Sequence, residues 1–257
     1  MERPLILVSN DDGVRARGCV RLREAMAQVG DAYTVAPERE QSANSHSLTL
    51  HRPLRHRQLE EGVHAIDGTP ADCVYVALYH GTLLPRRPDL VVSGINSGPN
   101  LGSDTHYSGT VAAAREGALR GIPSIAFSNF GDLDLDIAGD IAAKIARRLL
   151  AATQPPGSPV LLNVNFPPSP PKGIRATRLG RRLYADEVLV RNDPRGREYI
   201  WIGGPGARHE HFAGSDTEAI EDGYVSVTPL MIDVTHAEHL GLAAWVASEE
   251  ATEPEST

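Results

Sequence analysis

The chain has 257 residues and a formal net charge of −8, with 41% hydrophobic and 23% charged residues, values typical of one large globular domain. The negative charge argues against a nucleic-acid polymer as a partner, and no apolar run approaches the roughly 20 residues needed to span a membrane. The chain contains two cysteines and begins without a signal-peptide pattern. We therefore expect a cytoplasmic protein without disulfides and without a membrane partner.

The first predicted element is a buried strand over residues 5–8, followed closely by Asp11, Asp12 and Gly13. Gly13 allows a sharp turn, which places both carboxylates at the carboxyl end of a parallel strand, where α/β sheets bind ligands. Adjacent carboxylates repel each other unless a cation lies between them. The pair therefore predicts a site for a hard divalent cation. An Asx-rich turn with solvated carboxylates is the alternative interpretation.

Strand and helix signals alternate through the first two-thirds of the chain, which predicts a parallel sheet with helical crossovers. Thr69 is predicted to cap a helix that begins at Pro70, with Asp72 in its first turn. The other predicted elements, in chain order, are a helix over 20–29, strands over 33–36 and 89–93, a glycine-rich loop over 94–107, a helix over 108–119, a strand over 123–127, a helix over 136–150 and a strand over 160–164.

The pattern changes after the proline-rich residues 167–171. Two β-rich runs, 183–190 and 198–202, flank a turn that contains Asn-Asp-Pro, and they predict a long hairpin. The remaining predicted elements are a helix capped by Ser215, a strand over 224–228 that can return to the main sheet, a final helix over 235–247 and a disordered tail over 249–257.

Polar side chains that suit a metal and a phosphate follow several predicted strands. One parallel sheet could bring them together at its carboxyl edge, although a flexible surface loop is the alternative interpretation of residues 94–102. The helix start at 108–110 offers free backbone N–H groups for a phosphate. The oxygen ligands suited to Mg²⁺ or Mn²⁺, with waters completing the shell, are Asp11, Asp12, Ser42 and Asn96.

Two histidines in these loops, His46 and His106, are candidate proton donors to a leaving group. Isolated histidines are more often surface residues or hydrogen-bonded core residues, so a structural role stays open for both. The predicted reaction is an in-line attack of water on phosphorus. One metal binds a phosphate oxygen and positions the water, and Asp11 or Asp12 orients or deprotonates that water.

Blocks of sequence in a fixed order resemble the stationary-phase survival protein SurE family from about Leu5 to Leu240. Several blocks in order are far more specific than one motif, and the most distinctive is Ser-Asn-Asp-Asp-Gly at 9–13. The blocks cover residues 6–13, 35–37, 42–47, 68–74, 93–102, 107–117, 163–167, 215–216 and 222–230.

The resemblance implies a divalent-metal-dependent phosphatase acting on nucleoside 5′- and 3′-monophosphates, and in some relatives on polyphosphate. It implies one Mg²⁺ or Mn²⁺ per subunit, held by Asp11, Asp12, Ser42 and Asn96. On the phosphate side it implies roles for Asn44, Gly94, Ser108, Gly109 and Thr110.

The resemblance also implies a Rossmann-like three-layer α/β core with a mainly parallel sheet. A projecting β-hairpin and a C-terminal arm extend from that core in the family and serve homodimers or homotetramers. We therefore expect a single domain over 1–257, divided into a core of about 1–170 with 220–232, a hairpin extension of about 175–215 and an arm of about 233–257.

Two other functions are open on the residues alone. A haloacid-dehalogenase-like phosphatase would form an aspartyl-phosphate, but that class needs Asp-x-Asp after the first strand, where this chain has Asp11-Asp12. A non-catalytic nucleotide or metal sensor could use the same Rossmann-like core. Dinucleotide binding is poorly supported, because no G-x-G-x-x-G follows the first strand.

Overall fold

The structure is a computed structural model that describes residues 2–131, 133–153, 160–184, 188–202, 207–210 and 212–248. Its strands are β1 (Leu5–Ser9), β2 (Asp31–Pro37), β3 (His56–Glu60), β4 (Val63–Ile66), β5 (Leu90–Ser97), β6 (Ser124–Asn129), β7 (Leu161–Phe166), β8 (Ile174–Ala176), β9 (Arg181–Tyr184), β10 (Val188–Asn192), β11 (Glu198–Ile202), β12 (Ala207–Glu210) and β13 (Val225–Pro229). Its α-helices are α1 (Arg17–Ala27), α2 (Pro70–Tyr79), α3 (Gly109–Leu119), α4 (Leu135–Ala151), α5 (Asp216–Glu221) and α6 (Leu240–Ala247), and 3₁₀ turns cover Gly102–His106 and Ala237–His239.

Nine strands form one sheet in the spatial order β3-β4-β2-β1-β5-β6-β7-β13-β8. Six consecutive strands of this order are parallel to one another, namely β4, β2, β1, β5, β6 and β7. β3 runs antiparallel to β4, and β13 runs antiparallel to β7. The prediction of a mainly parallel sheet is confirmed. The late strand at 224–228 does return to the main sheet, as β13.

Helices cover both faces of the sheet and make three layers. Alternate residues of a strand face opposite sides, and in β1 Ile6 and Val8 belong to one apolar cluster and Leu7 to another. The first cluster contains buried side chains of α1 and α4, and the second contains side chains of α2 and α3. The expected Rossmann-like three-layer core is therefore confirmed. None of the helices in the described ranges is long and apolar enough to cross a membrane.

Capping residues in the sequence fix where two helices near the site, α2 and α3, begin. Thr69 and Asp72 form a capping box at the start of α2, with Pro70 as the first helical residue. The Ser108 hydroxyl caps α3 by accepting a hydrogen bond from the Val111 N–H at 3.1 Å. These caps fix the amino ends of both helices at the carboxyl edge of the sheet.

The prediction of a loop over 94–107 was partly wrong, because β5 continues through Gly94 to Ser97. The register against β6 shifts between Ser93 and Asn96, and Gly94 takes φ +125°, which glycine adopts at little cost. The irregularity lets the strand carry Asn96 to the sheet edge. The rest of the loop contains the 3₁₀ turn Gly102–His106.

Among the described elements four strands were not predicted, namely β3, β4, β8 and β12, and two helices begin elsewhere than predicted. β4 is buried but only four residues long. β3 is a polar edge strand with mostly exposed residues, and β8 is only three residues long, so neither carries a hydrophobic pattern. α1 begins at Arg17 rather than at residue 20. The last α-helix begins at Leu240, after the 3₁₀ turn Ala237–His239, and the predicted tail over 249–257 lies outside the described residues.

The predicted hairpin is present as two antiparallel ribbons. β10 pairs with β11, and β9 pairs with β12. The predicted first run, 183–190, is therefore shared between two strands, with residues 185–187 outside the described ranges. The prediction of a hairpin separate from the main sheet is confirmed, because both ribbons lie outside the nine-stranded sheet.

Candidate functional site

The carboxyl ends of β1 and β5 border a cavity of about 1380 Å³. The two strands are adjacent and parallel, with Ser9 opposite Ser93, so the segments that follow them emerge side by side. Of the residues considered for the site, the structure brings five to the wall of this cavity: Asp11, Asp12, Ser42, Asn96 and Ser108. A cavity at this edge of a parallel sheet is a common place for a ligand.

Asp11 is the most buried acid of the cavity, with 5% of its surface exposed. Its Oδ1 accepts a hydrogen bond from the hydroxyl of Thr110 at the start of α3. Burial raises the pKa of the Asp11 carboxyl to about 6, the charge of Asp12 adds to this effect, and the Thr110 hydrogen bond opposes it. The backbone carbonyl of Asp11 accepts a 2.7 Å hydrogen bond from the N–H of Gln41.

Asp12 lies half-buried beside the end of β5. Its Oδ2 accepts a hydrogen bond from the N–H of Ser97 at 3.1 Å, which holds it next to Asn96. Burial raises the pKa of the Asp12 carboxyl, and the charge of Glu40 raises it further. The hydrogen bond from Ser97 lowers the pKa and so opposes both effects. The side-chain amide of Asn96 donates to the carbonyl of Gly98 at 2.8 Å, so its nitrogen is occupied by its own loop.

Ser42 and Asn44 lie in the segment between β2 and β3, and both are exposed. The Ser42 hydroxyl donates to Oε1 of Glu40 at 2.7 Å, and the Asn44 amide donates to Oε1 of Gln41 at 2.7 Å. Ser42 is part of the cavity wall, whereas Asn44 is outside it. Of the two residues, Ser42 shares the cavity wall with the aspartates and Asn44 does not.

The start of α3 packs directly against Asp11. A Cβ added to Gly109 would lie 2.8 Å from Cβ of Asp11 and 3.0 Å from its Oδ2, so only glycine allows this approach. Thr110 is fully buried, and Ser108 completes the helix start. Gly94 is buried within β5 and outside the cavity wall, and a Cβ there would lie 2.2 Å from the carbonyl oxygen of Phe127.

The two histidines considered as proton donors lie outside this wall. Nε2 of His46 is 2.8 Å from Oε2 of Glu116, a residue in the middle of α3. The side chain of His106 is exposed, and its backbone carbonyl accepts a 2.7 Å hydrogen bond from the hydroxyl of Ser45. Neither imidazole therefore lines the cavity that holds the two aspartates.

The residues around the two aspartates fit a hard divalent cation. Asp11 and Asp12 accept their side-chain hydrogen bonds from neutral groups, Thr110 and Ser97, so these bonds leave the net negative charge in place and both pKa values stay raised. A doubly charged ion would compensate this charge. Among the described residues no group of three or more His, Cys, Asp or Glu side chains is placed to hold a metal. Hydroxyl, amide and water oxygens would therefore complete the shell.

Other charged residues of the cavity were missed by the sequence reasoning. Glu40 lines the wall and raises the pKa of Asp12, but the sequence did not show which acid after β2 faces the site. Arg15 and Arg17 line the same cavity and are exposed. Their position a few residues after the acidic pair could have pointed to them, because positively charged side chains near a metal site suit an anionic ligand.

The fold and the cavity define a three-layer α/β protein with an acidic, cation-suited site at the carboxyl edge of its sheet. The family model described as "Survival protein SurE" matches residues 6–186. The chain belongs to the SurE family.

Relatives match the chain over almost its whole length. The 5'-nucleotidase SurE of Sorangium cellulosum is 56% identical over 250 residues, which are 96% of this chain and 97% of that protein. The 5'-nucleotidase SurE of an Anaeromyxobacter species is 50% identical over 254 residues, covering 97% and 98%. The crystal structure of the SurE protein from Aquifex aeolicus superposes with a TM-score of 0.83 at 39% identity, covering 95% of this chain and 100% of that one.

Proposed function

We propose that this protein is a divalent-metal-dependent 5′-nucleotidase that hydrolyses nucleoside 5′- and 3′-monophosphates to nucleoside and phosphate. The observation that supports it most directly is the meeting of Asp11, Asp12, Ser42 and Asn96 at one cavity. The relatives named as 5'-nucleotidases cover nearly the full chain. Hydrolysis of short polyphosphate would use the same chemistry.

Asp11, Asp12, Ser42 and Asn96 are the proposed ligands of one Mg²⁺ or Mn²⁺ per subunit. A divalent cation held there supplies positive charge to the phosphate oxygens and makes water a better nucleophile. Asp12 is the more accessible carboxylate of the pair, which supports it as the group that would orient the attacking water and accept its proton. Asp11 is fixed by Thr110.

The first turn of α3, at Ser108, Gly109 and Thr110, is the proposed seat of the phosphate. Backbone N–H groups at a helix start can donate to a ligand, except here the Val111 N–H, which donates to the Ser108 hydroxyl. The helix dipole also favours negative charge at this end. The water oxygen forms a bond to phosphorus while the ester bond breaks. Asp12 takes the proton that the water gives up, and the nucleoside oxygen takes up a proton from solvent. Asn44 and Gly94 would support the phosphate side from the neighbouring loop and strand.

The competing interpretations are not favoured by the relatives, which carry the name of a nucleotidase rather than of a sensor. A haloacid-dehalogenase-like enzyme would form an aspartyl-phosphate on Asp11. If such a phosphoenzyme were trapped during turnover, the reaction would proceed by that covalent route and not by direct attack of water on the substrate. Tight nucleotide binding without phosphate release under any divalent ion would support the sensor.

The decisive experiment measures phosphate release from nucleoside 5′- and 3′-monophosphates and short polyphosphate, with each divalent ion and with a chelator. We expect activity that the chelator abolishes and Mn²⁺ or Mg²⁺ restores. Asp11→Asn and Asp12→Asn should each lower kcat strongly. The control is Asp31→Asn, because Asp31 begins β2 at the opposite end of the sheet. Full activity in both site variants would overturn the proposal.

Homo-oligomerisation through the hairpin and the arm is also proposed, as a homodimer or homotetramer. In the single chain the β10–β11 ribbon and α6 expose many large apolar side chains, which mark protein interfaces when they cluster. They are Val188, Leu189, Val190, Tyr199, Ile200, Trp201, Ile202, Leu240, Leu242, Trp245 and Val246. The division into a core of about 1–170 with 220–232, a hairpin of about 175–215 and an arm of about 233–257 remains a proposal.

A cytoplasmic location is proposed for the protein. Cys19 and Cys73 are free and buried, and free thiols are usual in a reducing compartment. The expected partners are a small nucleotide and further copies of this chain rather than a nucleic-acid polymer or a membrane.

A further inference from the structure

The loop over residues 38–50 carries Ser42 and Asn44 to the site, and its backbone is unusual. Ala43 and Ser45 have φ values of +57° and +50°, in the left-handed region that non-glycine residues rarely adopt. Such conformations persist only when the surrounding contacts hold them. The contacts of this loop with the rest of the chain therefore decide where Ser42 and Asn44 lie.

Part of the loop is held by main-chain hydrogen bonds close to the site. The N–H of Gln41 donates to the carbonyl of Asp11 at 2.7 Å, and the N–H of Ser45 donates to the carbonyl of Tyr107 at 3.1 Å. These bonds tie the loop to the segments after β1 and before α3. They end at Ser45, where the chain still has to turn towards α2.

His46 makes the next contact, and it is a side-chain contact with the interior of α3. Its Nε2 lies 2.8 Å from Oε2 of Glu116, whose side chain is only 2% exposed. Oε1 of Glu116 accepts from Nε and Nη2 of Arg120 at 2.9 and 2.8 Å. His46 and Arg120 thus bind different oxygens of one buried carboxylate.

A buried carboxylate is costly unless each oxygen has a partner. Arg120 occupies one oxygen of Glu116 from the same helix, and His46 is the partner that comes from a different segment. This pairing gives the loop an energetic reason to stay against α3, the helix whose first turn contacts Asp11. One rigid element therefore fixes both Asp11 and the loop that carries Ser42.

We propose that the His46–Glu116 pair is a positioning device that locks the Ser42 and Asn44 loop against α3, so that Ser42 stays at the cavity wall beside the aspartates. His46 acts through the loop and does not transfer a proton to the substrate. This inference rests on the proposed function, because it assigns the loop to the metal and phosphate site of that reaction.

The first test compares His46→Leu and His46→Gln in the full-length protein. His46→Leu removes the nitrogen that binds Glu116, and His46→Gln restores an N–H donor of similar reach. We expect His46→Leu to weaken Mn²⁺ binding in isothermal titration calorimetry at least fivefold and to raise KM by a similar factor, with a smaller change in kcat. His46→Gln should recover most of the affinity.

His51→Leu is the matched control, because His51 is an exposed histidine of the neighbouring segment, and it should behave as wild type. Circular dichroism and thermal unfolding check that each variant folds. If His46→Leu does not fold, Glu116→Gln is used instead, since it keeps the shape of the side chain and removes its charge. We expect Glu116→Gln to show the same loss of Mn²⁺ affinity and rise in KM.

Two results would overturn the inference while leaving the proposed function intact. One is a folded His46→Leu protein with wild-type Mn²⁺ affinity and KM. The other is a large loss of kcat in both His46→Leu and His46→Gln, with KM unchanged and one limb of the pH–rate profile lost, which would make His46 a proton donor. A wild-type protein that neither binds Mn²⁺ nor releases phosphate would overturn both the inference and the proposed function.

Discussion

The hydroxyl of Thr110 donates a hydrogen bond to Oδ1 of Asp11, although 99 positions separate the two residues in the chain. Thr110 lies at the start of α3 and is fully buried, so the helix that is proposed to hold the phosphate also orients the acid that is proposed to hold the metal. The two halves of the site are thereby coupled through one hydrogen bond.

Thr110→Val should weaken Mn²⁺ binding by about tenfold or more. The substitution keeps the shape of the side chain but removes a hydrogen bond to a charged group, which contributes roughly 1.5–3 kcal/mol, equivalent to about one to two powers of ten in affinity. Calorimetric titration of Mn²⁺ measures the change. Thr177→Val is the control, because Thr177 shares a 2.7 Å hydrogen bond with Thr228 away from the site. Unchanged Mn²⁺ affinity in Thr110→Val would disprove the coupling.

Gly109→Ala should disrupt the site by steric conflict rather than by loss of a functional group. The added Cβ would lie 2.8 Å from Cβ of Asp11 and 3.1 Å from Cγ of Pro70, so α3 or the aspartate must shift. Overpacking of this kind costs about 1–3 kcal/mol, which a lower thermal midpoint and a large drop in phosphate release would report. Gly241→Ala is the control, since nothing lies within 4 Å of its added Cβ, and only the site variant should lose activity.

The sequence was sufficient for those parts of the fold that carry a local signal. The fully buried β1 and the capping box of α2 both follow from residues close together in the chain. β3 had no such signal, because its residues are polar and mostly exposed, and it is an edge strand that pairs with β4. The extension of β5 past Gly94 depends on pairing with β6, which no local pattern encodes.

The same distinction applies to the site. Asp11, Asp12 and Asn96 stand directly at strand ends, so a parallel topology is enough to group them. The contact between Thr110 and Asp11 and that between His46 and Glu116 join residues 99 and 70 positions apart. Which polar atoms meet across such distances depends on helix packing. No local pattern therefore showed that His46, a candidate proton donor in the sequence, lies 2.8 Å from the buried carboxylate of Glu116.

The stability of the protein should fall as the pH drops below about 6.5, in part because of two histidines. Nε2 of His56 lies 2.9 Å from Nδ1 of His64, and the His80 ring lies 5.8 Å from that of His56. Burial lowers the pKa of both His56 and His64, with the charges of neighbouring histidines adding to it. The unfolded chain therefore binds more protons just below pH 6.5, and protonation favours unfolding there.

Urea unfolding of wild type and His64→Gln between pH 5 and pH 8 tests this contribution. The free energy of unfolding of wild type should fall more steeply below pH 6.5 than that of His64→Gln, since the variant removes one buried titrating group whose pKa is lowered. His51→Gln, at an exposed position, should keep the wild-type slope. An equal slope in wild type and His64→Gln would show that the pair does not contribute.

Trp201→Glu should convert the proposed oligomer into smaller species. In the isolated chain the side chains of Trp201 and Ile202 on β11 are 63% and 93% exposed, a degree of apolar exposure that favours burial against a second copy. A charge placed at the centre of such an interface would be desolvated without a partner, which strongly opposes association. Light scattering after size-exclusion chromatography measures the mass. Leu119→Glu is the control, because Leu119 is an exposed apolar residue of α3, outside the ribbon, and the idea fails if Trp201→Glu and wild type have the same mass or if wild type is a monomer.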